Sequence, residues 1–265
     1  MKSSDIVVYH NALNKVPFAQ LNEIERNLVM ILLCQVKEKG GDVISFPIDV
    51  IKKHLKANYT NENIKQILVG LKEHFFNLKF DVIRKLNDKY QAIDTHHLFN
   101  RFTLITNKEK SGEVERVELQ VNPPFLFIVN NLVNNFTSFE IQEFCSIRGK
   151  YAKDLYRLLK QYRTSGIAIF KWKDFKEQMG FSEKATVRDI DKILDKSIKE
   201  LSRELDLIDR ATKRQAFTNL TVTKNYDKHR RGSPIATITF TFMKEIPNKE
   251  GYIEVKKAIA AKNKL

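Results

Sequence analysis

Apolar side chains recur along the chain in the same order twice. Residues 21–38 show the spacing of an amphipathic helix, and residues 150–163 repeat that pattern at an offset of 127. Residues 46–55 and 170–179 match at an offset of 124, and each predicts a short strand that runs into a short helix. Residues 64–78 and 187–201 match at an offset of 123 and predict a third helix. We interpret the chain as a duplicated unit.

Each predicted third helix opens on a capping residue and is followed by β-rich sequence. Thr60 precedes Asn63, and Thr186 precedes Asp189 in a capping-box pattern. The β-rich segments are 78–84, 90–106 and 114–121 in the first half, and 216–226 and 234–243 in the second. Three helices followed by a hairpin predict an α+β fold of two tandem winged-helix domains, related by a pseudo-repeat.

The predicted domains are residues 1–135 and 136–265, with the junction in the polar stretch 133–139. No Gly/Ser linker separates them, so we expect the halves to pack together. The longest apolar runs are too short to cross a bilayer, and residues 1–5 open no signal peptide. The two cysteines, Cys34 and Cys145, are typical of small buried apolar side chains. We expect a cytoplasmic protein without a membrane partner.

The charge is unevenly distributed. The chain carries 46 Lys and Arg against 32 Asp and Glu, a net charge of +14. The first 135 residues have 18 basic and 15 acidic side chains, whereas the remainder has 28 and 17. A basic surface binds nucleic acid by releasing counterions, so the second half is predicted to bind DNA.

The predicted third helix of the second half carries a basic stripe. At about 100° per residue, its basic side chains fall almost opposite its apolar ones. This geometry suits insertion into the major groove, and the expected base-reading residues are Arg188, Lys192, Lys196 and Lys199. The alternative is a solvated face with an Asp195–Lys199 pair. Asp191 and Asp195 either orient a neighbouring lysine or accept a hydrogen bond from a cytosine amine.

The corresponding first-half helix, residues 60–77, offers only Lys65 and Lys72 beside two glutamates. It is a weaker DNA reader and a better candidate for protein contact. Further basic or polar side chains of the second half are expected to contact the DNA backbone or to lie on the wing. They are Arg148, Lys150, Lys184, Thr186, Arg203, Lys213, Arg214, Lys224, Lys228, His229, Arg230 and Arg231.

Catalytic motifs would indicate an enzyme rather than a binding protein. The chain contains no phosphate-binding loop of the G-x-x-x-x-G-K-[ST] type. His96 and His97 are adjacent, so on a strand they point to opposite faces and cannot share one metal ion. The tyrosines of residues 150–163 belong to the apolar face of their helix. We therefore expect a protein that is not an enzyme and that uses no metal or cofactor.

Two segments carry a resemblance to a known family. Residues 136–140 (FTSFE) and 150–163 (KYAKDLYRLLKQYR) resemble the domain-junction signature of iteron-binding plasmid replication initiators, the RepB/RepE-like initiator replication proteins. The opening VVYHNALN at 7–14 and the NPPF at 122–125 are similar too. The resemblance covers about residues 6–243. It departs from the family at 146–150, SIRGK, where a Leu-x-Ser-Lys-Tyr-like run is usual.

The resemblance implies a division of labour. The second winged helix would read directly repeated double-stranded sites, the iterons, and the first would provide dimer contacts and an auxiliary DNA contact. Monomers would melt an adjacent AT-rich segment and recruit host initiator and helicase proteins, whereas dimers would repress the protein's own promoter. The alternative is a tandem winged-helix transcription regulator with no replication role. An enzyme that nicks or primes DNA is disfavoured by the missing motifs.

Overall fold

The computed structural model describes residues 6–55, 59–75, 79–110, 112–132, 134–205, 214–229 and 231–245. Within these ranges, the first half contains four α-helices and six strands. The helices are α1 (Glu23–Val36), α2 (Ile48–Lys52), α3 (Asn61–Phe75) and α4 (Leu126–Val129). The strands are β1 (Ile6–His10), β2 (Ile44–Pro47), β3 (Lys79–Lys85), β4 (Gln91–His97), β5 (Phe99–Asn107) and β6 (Glu113–Val121). An antiparallel sheet in the order β2-β6-β5 packs beside α1, α2 and α3, and β3 pairs with β4 as a separate ribbon.

The second half repeats this arrangement. Its helices are α5 (Ile141–Ser146), α6 (Lys150–Lys160), α7 (Trp172–Gln178) and α8 (Val187–Leu201). Its strands are β7 (Phe136–Glu140), β8 (Ile167–Lys171), β9 (Glu204–Leu205), β10 (Arg214–Gln215), β11 (Thr221–Tyr226) and β12 (Ile235–Thr241). The sheet order β8-β12-β11 mirrors β2-β6-β5. The predicted pair of winged helices is confirmed.

Helices α3 and α8 are equivalent, but the offset between them differs from the predicted value of 123. Both helices are 15 residues long, and they begin at Asn61 and Val187, an offset of 126. The buried Ile64 therefore corresponds to Ile190, and Val187 is 43% exposed rather than part of the core. A shift of three residues nearly preserves the phase of a helix with 3.6 residues per turn. Periodicity alone could not distinguish the two alignments.

Local capping determines where these helices begin. The side chain of Thr186 accepts a hydrogen bond from the amide of Asp189, and the Asp189 carboxylate accepts one in return from the Thr186 amide, so the predicted capping box is confirmed. In α3 the amide of Asn63 donates to Thr60 Oγ1 at 3.2 Å. Helix α1 has a capping box that was not predicted, between Asn22 and Glu25. Such caps satisfy amides that have no partner within the helix.

One strand of each half takes part in a strand pair between the halves. Residues 136–139 lie in the polar stretch assigned to the junction, yet with residue 140 they form β7, which pairs antiparallel with β1. Val8 lies opposite Ser138, and the pairing extends symmetrically to Ile6–Glu140 and His10–Phe136. Because β1 and β7 hold equivalent places in the two halves, this register relates the halves by a local pseudo-twofold axis.

A buried ion pair joins α1 to α6 beside this strand pair. The Arg26 guanidinium donates to both carboxylate oxygens of Asp154, at 3.1 and 2.8 Å, and both side chains are 1% exposed. Arg26 also donates to the carbonyl of Phe18, and the Arg157 guanidinium lies 3.7 Å from the centre of the Phe18 ring. Apolar residues of both halves form one continuous core around these groups. The halves therefore pack together, as expected.

Candidate nucleic-acid interface

Helix α8 presents one buried and one exposed face. Its fully buried residues are Ile190, Leu194, Ser197 and Leu201, which hold it against the core of the second half. Since successive helical residues turn by about 100°, the opposite face is centred between Arg188 and Lys196. All four predicted base-reading residues, Arg188, Lys192, Lys196 and Lys199, are exposed on that face.

None of these four cations forms an ion pair within the described chain. The ion pairs that α8 forms there involve Asp191, which contacts Lys224, and Glu200, which contacts Arg203. The alternative Asp195–Lys199 pair is not formed. The stripe therefore leaves its positive charge available to an external polyanion.

The N-terminal end of α8 is held by its cap. The Thr186 hydroxyl donates to Asp189 Oδ2 at 2.6 Å, so the hydroxyl expected to contact the DNA backbone is engaged inside the protein. Hydrogen bonds from the side chain and backbone of Thr186, with the nearby charge of Lys192, lower the pKa of Asp189. Lys184 is exposed on the loop that precedes the cap.

The turn between β11 and β12 forms the wing. The amide of Asp227 donates to the carbonyl of Pro234 and closes the turn, and the amide of His229 donates to Asp227 Oδ1. Lys228, His229 and Arg231 are exposed there. Two of the predicted contacts, Lys213 and Arg230, lie outside the described residues.

Three other predicted DNA contacts are engaged in intramolecular ion pairs. Arg203 contacts Glu200 at 2.6 Å and donates to the carbonyl of Ser146. Arg214 contacts Glu143 at 2.8 Å, and Lys224 contacts Asp191. The list of side chains free to meet DNA is therefore shorter than the sequence suggested.

The N-terminus of α6, expected to favour phosphate, meets carboxylates of the protein itself. The amide of Gly149 donates to Glu23 Oε2 at 2.7 Å, and the amide of Arg148 donates to Glu200 Oε1 at 2.6 Å. Glu23 belongs to α1, so the first half caps a helix of the second. The side chains of Arg148 and Lys150 remain exposed. Sequence reasoning missed both contacts, because no local motif links Glu200 to residue 148 or Glu23 to residue 149.

No helix within the described ranges is long and apolar enough to span a membrane. Among the same residues, no cluster of three or more His, Cys, Asp or Glu side chains has an arrangement that would hold a metal ion.

The described chain contains two winged-helix units, and the second has an exposed cationic helix, α8, beside a basic wing. These features are typical of winged-helix DNA-binding proteins. Comparison with known families specifies the group. A family model described as "Initiator Replication protein, WH1" matches residues 6–160, and the chain belongs to this family. The match runs past residue 135 and includes β7, α5 and α6.

Individual relatives agree with this assignment. The chain is 27% identical over 247 residues to a protein of Bifidobacterium longum (strain NCC 2705) named "Probable replication protein rep", covering 92% of this chain and 75% of the relative. Among solved structures, the Pi initiator protein in complex with iteron DNA matches with a TM-score of 0.61 at 15% identity. That match covers 92% of this chain and 99% of the Pi chain, which shows that the two share a fold.

Proposed function

We propose that this protein initiates plasmid replication by binding directly repeated double-stranded iterons through its second winged helix. The observation that carries the proposal is the exposed face of α8, where four cations lie opposite the buried face and form no ion pair within the described chain. An α-helix fits the major groove of B-DNA, and an arginine there can bond two acceptors of one guanine. Family membership and the Pi fold support the same assignment.

Within α8, we assign base reading to Arg188 and Lys192 first, because residues near the N-terminus of a recognition helix reach base edges. Lys196 and Lys199 extend the same face. Exposed side chains around it supply backbone contacts, namely Arg148, Lys150, Lys184, Lys228, His229 and Arg231. Lys228 and Arg231 lie on the wing, which reaches the DNA backbone or the minor groove.

We assign dimerisation and an auxiliary DNA contact to the first half, residues 1–135. Its β3–β4 ribbon exposes Leu86, Tyr90 and Ile93, apolar side chains that an interface would cover. Melting of an AT-rich segment, recruitment of host initiator and helicase proteins, and repression of its own gene by the dimer complete the proposal. These steps are supported by the family resemblance, and we propose that the protein carries them out in the cytoplasm.

Footprinting on DNA that flanks the protein's own gene tests the proposal. We expect protection of directly repeated sites about two helical turns apart, next to an AT-rich segment. With about six phosphate contacts, log K should fall against log[salt] with a slope near −5. Absence of any protected site, or a slope near zero, would overturn it.

The second candidate is a transcription regulator with no replication role, favoured by the same α8 surface because any operator-binding protein would present it. Protection of a promoter operator without repeats beside an AT-rich segment would support that candidate. Incubation of supercoiled origin DNA with the protein and a divalent metal ion addresses the enzymatic alternative. We expect the DNA to remain supercoiled, and nicked product would contradict a purely binding role.

A further inference from the structure

Lys224 connects three elements of the second winged helix. It lies on β11, where it pairs with Ile238 of β12 on the core-facing side of the sheet. Its ammonium group forms an ion pair with Asp191, in the second turn of α8. The same ammonium lies 5.6 Å from the centre of the Trp172 ring, at the first residue of α7. Lys224 therefore connects the wing strand β11, on which it lies, with helices α7 and α8.

The burial of this group argues against a phosphate contact. The Lys224 side chain is 15% exposed, whereas Asp191 is 43% exposed. The cation is thus covered, and its carboxylate partner is the one that faces solvent. Asp191 lies one turn from Asp195 and next to Lys192, at the edge of the face assigned to DNA. A carboxylate in that place would repel phosphate unless a cation neutralised it.

We propose that Lys224 is a positioning residue for base reading. Its ion pair with Asp191 fixes the angle of α8 against the wing and neutralises the carboxylate at the edge of the DNA-facing surface. The same ammonium lies over the Trp172 ring, and cations bind the faces of aromatic rings. This inference rests on the proposed binding of DNA by α8, and it removes Asp191 from the candidates for reading cytosine.

Four variants of the full-length protein test the inference on DNA: Lys224→Gln, Asp191→Asn, the double variant, and Lys228→Gln as a matched control on the exposed wing turn. Binding to the footprinted site and to random DNA is measured over a range of salt concentrations. Each Lys224 or Asp191 single variant should lower the ratio of specific to random affinity by about tenfold, and the double variant should lower it no further, because coupled residues are not additive. The salt slope of Asp191→Asn should stay unchanged. In Lys224→Gln the Asp191 carboxylate loses its cation, so random binding should also weaken, but by less than binding to the specific site.

The control distinguishes positioning from a phosphate contact. Lys228→Gln should weaken specific and random binding alike and reduce the magnitude of the salt slope by about 1. If Lys224→Gln behaves in the same way, and its effect adds to that of Asp191→Asn, Lys224 is a phosphate contact and the inference is wrong.

A measurement without DNA provides an independent readout. Trp172 is the only tryptophan of the chain, so its fluorescence reports on the ring beside Lys224. Emission from Lys224→Gln and Asp191→Asn should differ from the unmodified protein, and Lys228→Gln should not. Unchanged emission in both variants would overturn the three-way contact. If the unmodified protein does not distinguish origin from random DNA, the proposed function fails, and the fluorescence still decides whether Lys224 connects these elements.

Discussion

Helices α3 and α8 are each 15 residues long and occupy equivalent places in the two halves of the molecule. Where α8 carries Arg188, Lys192, Lys196 and Lys199, the equivalent residues of α3 are Glu62, Gln66, Gly70 and Glu73. Glu62, Gln66 and Glu73 are exposed, as are all four cations of α8. The same scaffold therefore presents a cationic face in one copy and an acidic face in the other.

The comparison teaches that the winged-helix scaffold by itself does not determine the charge of its exposed helix face. Most of the buried residues that hold each helix in place are apolar in both copies, as at Ile64 and Leu68 in α3 and at Ile190 and Leu194 in α8, although Ser197 of α8 is buried where α3 has Leu71. The difference in charge lies mainly at exposed positions, which contribute little to stability. In such a duplicated fold, the exposed side chains of each copy determine its function.

Exchanging the outward charge of α8 for that of α3 is the test with the largest expected effect. The triple variant Arg188→Glu, Lys192→Gln, Lys199→Glu should weaken binding to origin DNA by about a thousandfold or more, since each lost contact costs about 1–3 kcal/mol. All three positions are exposed, so circular dichroism and thermal unfolding should change little. Titration of labelled origin DNA measures the loss.

The reciprocal variant, Glu62→Arg, Gln66→Lys, Glu73→Lys, serves as the control in α3. It should keep the affinity for origin DNA and raise the affinity for random DNA, because added cations attract phosphate without reading sequence. A loss of specific binding in this variant would show that α3 reads bases with its native residues.

The second test concerns the ion pair between the halves. Asp154→Asn leaves Arg26 buried without its counter-charge, which should lower the free energy of unfolding by about 3–5 kcal/mol. Urea unfolding followed by circular dichroism measures this loss. The double variant Arg26→Met, Asp154→Leu should recover part of it, because a buried ion pair can be replaced by apolar side chains of similar volume, whereas the buried Arg157, 3.9 Å from Asp154, stays without its carboxylate. A loss below about 1 kcal/mol would place the pair among the weak surface ion pairs.

A third test separates base reading from general affinity within the second half. Arg188→Ala should cost about 1–3 kcal/mol on the specific site and much less on random DNA. Replacing Lys228 and Arg231 by Ala should weaken both complexes alike and flatten the salt dependence, as should replacing Arg230, which we predicted as a wing contact from the sequence. Equal losses for Arg188→Ala on both DNAs would show that this face of α8 contacts only phosphate.

Much of this organisation could be predicted from the chain, because it depends on short-range patterns. The three-helix order, the Thr186 cap and the exposed stripe from Arg188 to Lys199 follow from periodicity and local hydrogen bonding. The contacts that connect distant segments could not be predicted in this way. The β1–β7 pair, the Glu23 cap on Gly149 and the Lys224–Asp191 ion pair join residues that no local pattern relates.

The same limit explains why two of the predicted DNA contacts, Arg214 and Lys224, form ion pairs within the protein. Their partners Glu143 and Asp191 are distant in sequence and are recognised only once the helices and strands are packed. The third pair, Arg203 with Glu200, is local, because the two residues lie three positions apart. Long-range ion pairs depend on tertiary geometry, and a single sequence contains no record of it.

The smallest expected effect comes from the two buried cations at equivalent positions of α1 and α6. At the offset of 127, Arg26 corresponds to Lys153, which is also fully buried. Arg26 has a carboxylate partner, whereas Lys153 forms no ion pair within the described chain and donates to the carbonyl of Phe144 at 2.7 Å. Burial lowers the pKa of Lys153 to about 8, against a usual value of 10.5. The lysine is therefore charged at neutral pH at a cost to the folded state.

This cost makes stability depend on pH in a defined direction. Between the two pKa values the unfolded chain binds more protons than the folded one, so the contribution of Lys153 to stability rises with pH. Below pH 8 it is protonated in both states and the cost is fully present. From pH 8 to 9.5, the free energy of unfolding should rise by about 1–2 kcal/mol relative to the Lys153→Met variant. Urea unfolding of both proteins across this range measures the difference.

The buried tyrosines set the upper limit of the pH range in which the effect of Lys153 can be measured. Burial raises the pKa values of Tyr9 and Tyr156, so above about pH 10 their ionisation in the unfolded chain opposes the effect of Lys153. Both proteins share these tyrosines, and subtraction of the two curves removes their contribution. A difference that stays constant from pH 8 to 9.5 would show that Lys153 keeps an ordinary pKa, and that α6 neutralises its buried cation as effectively as Asp154 neutralises Arg26.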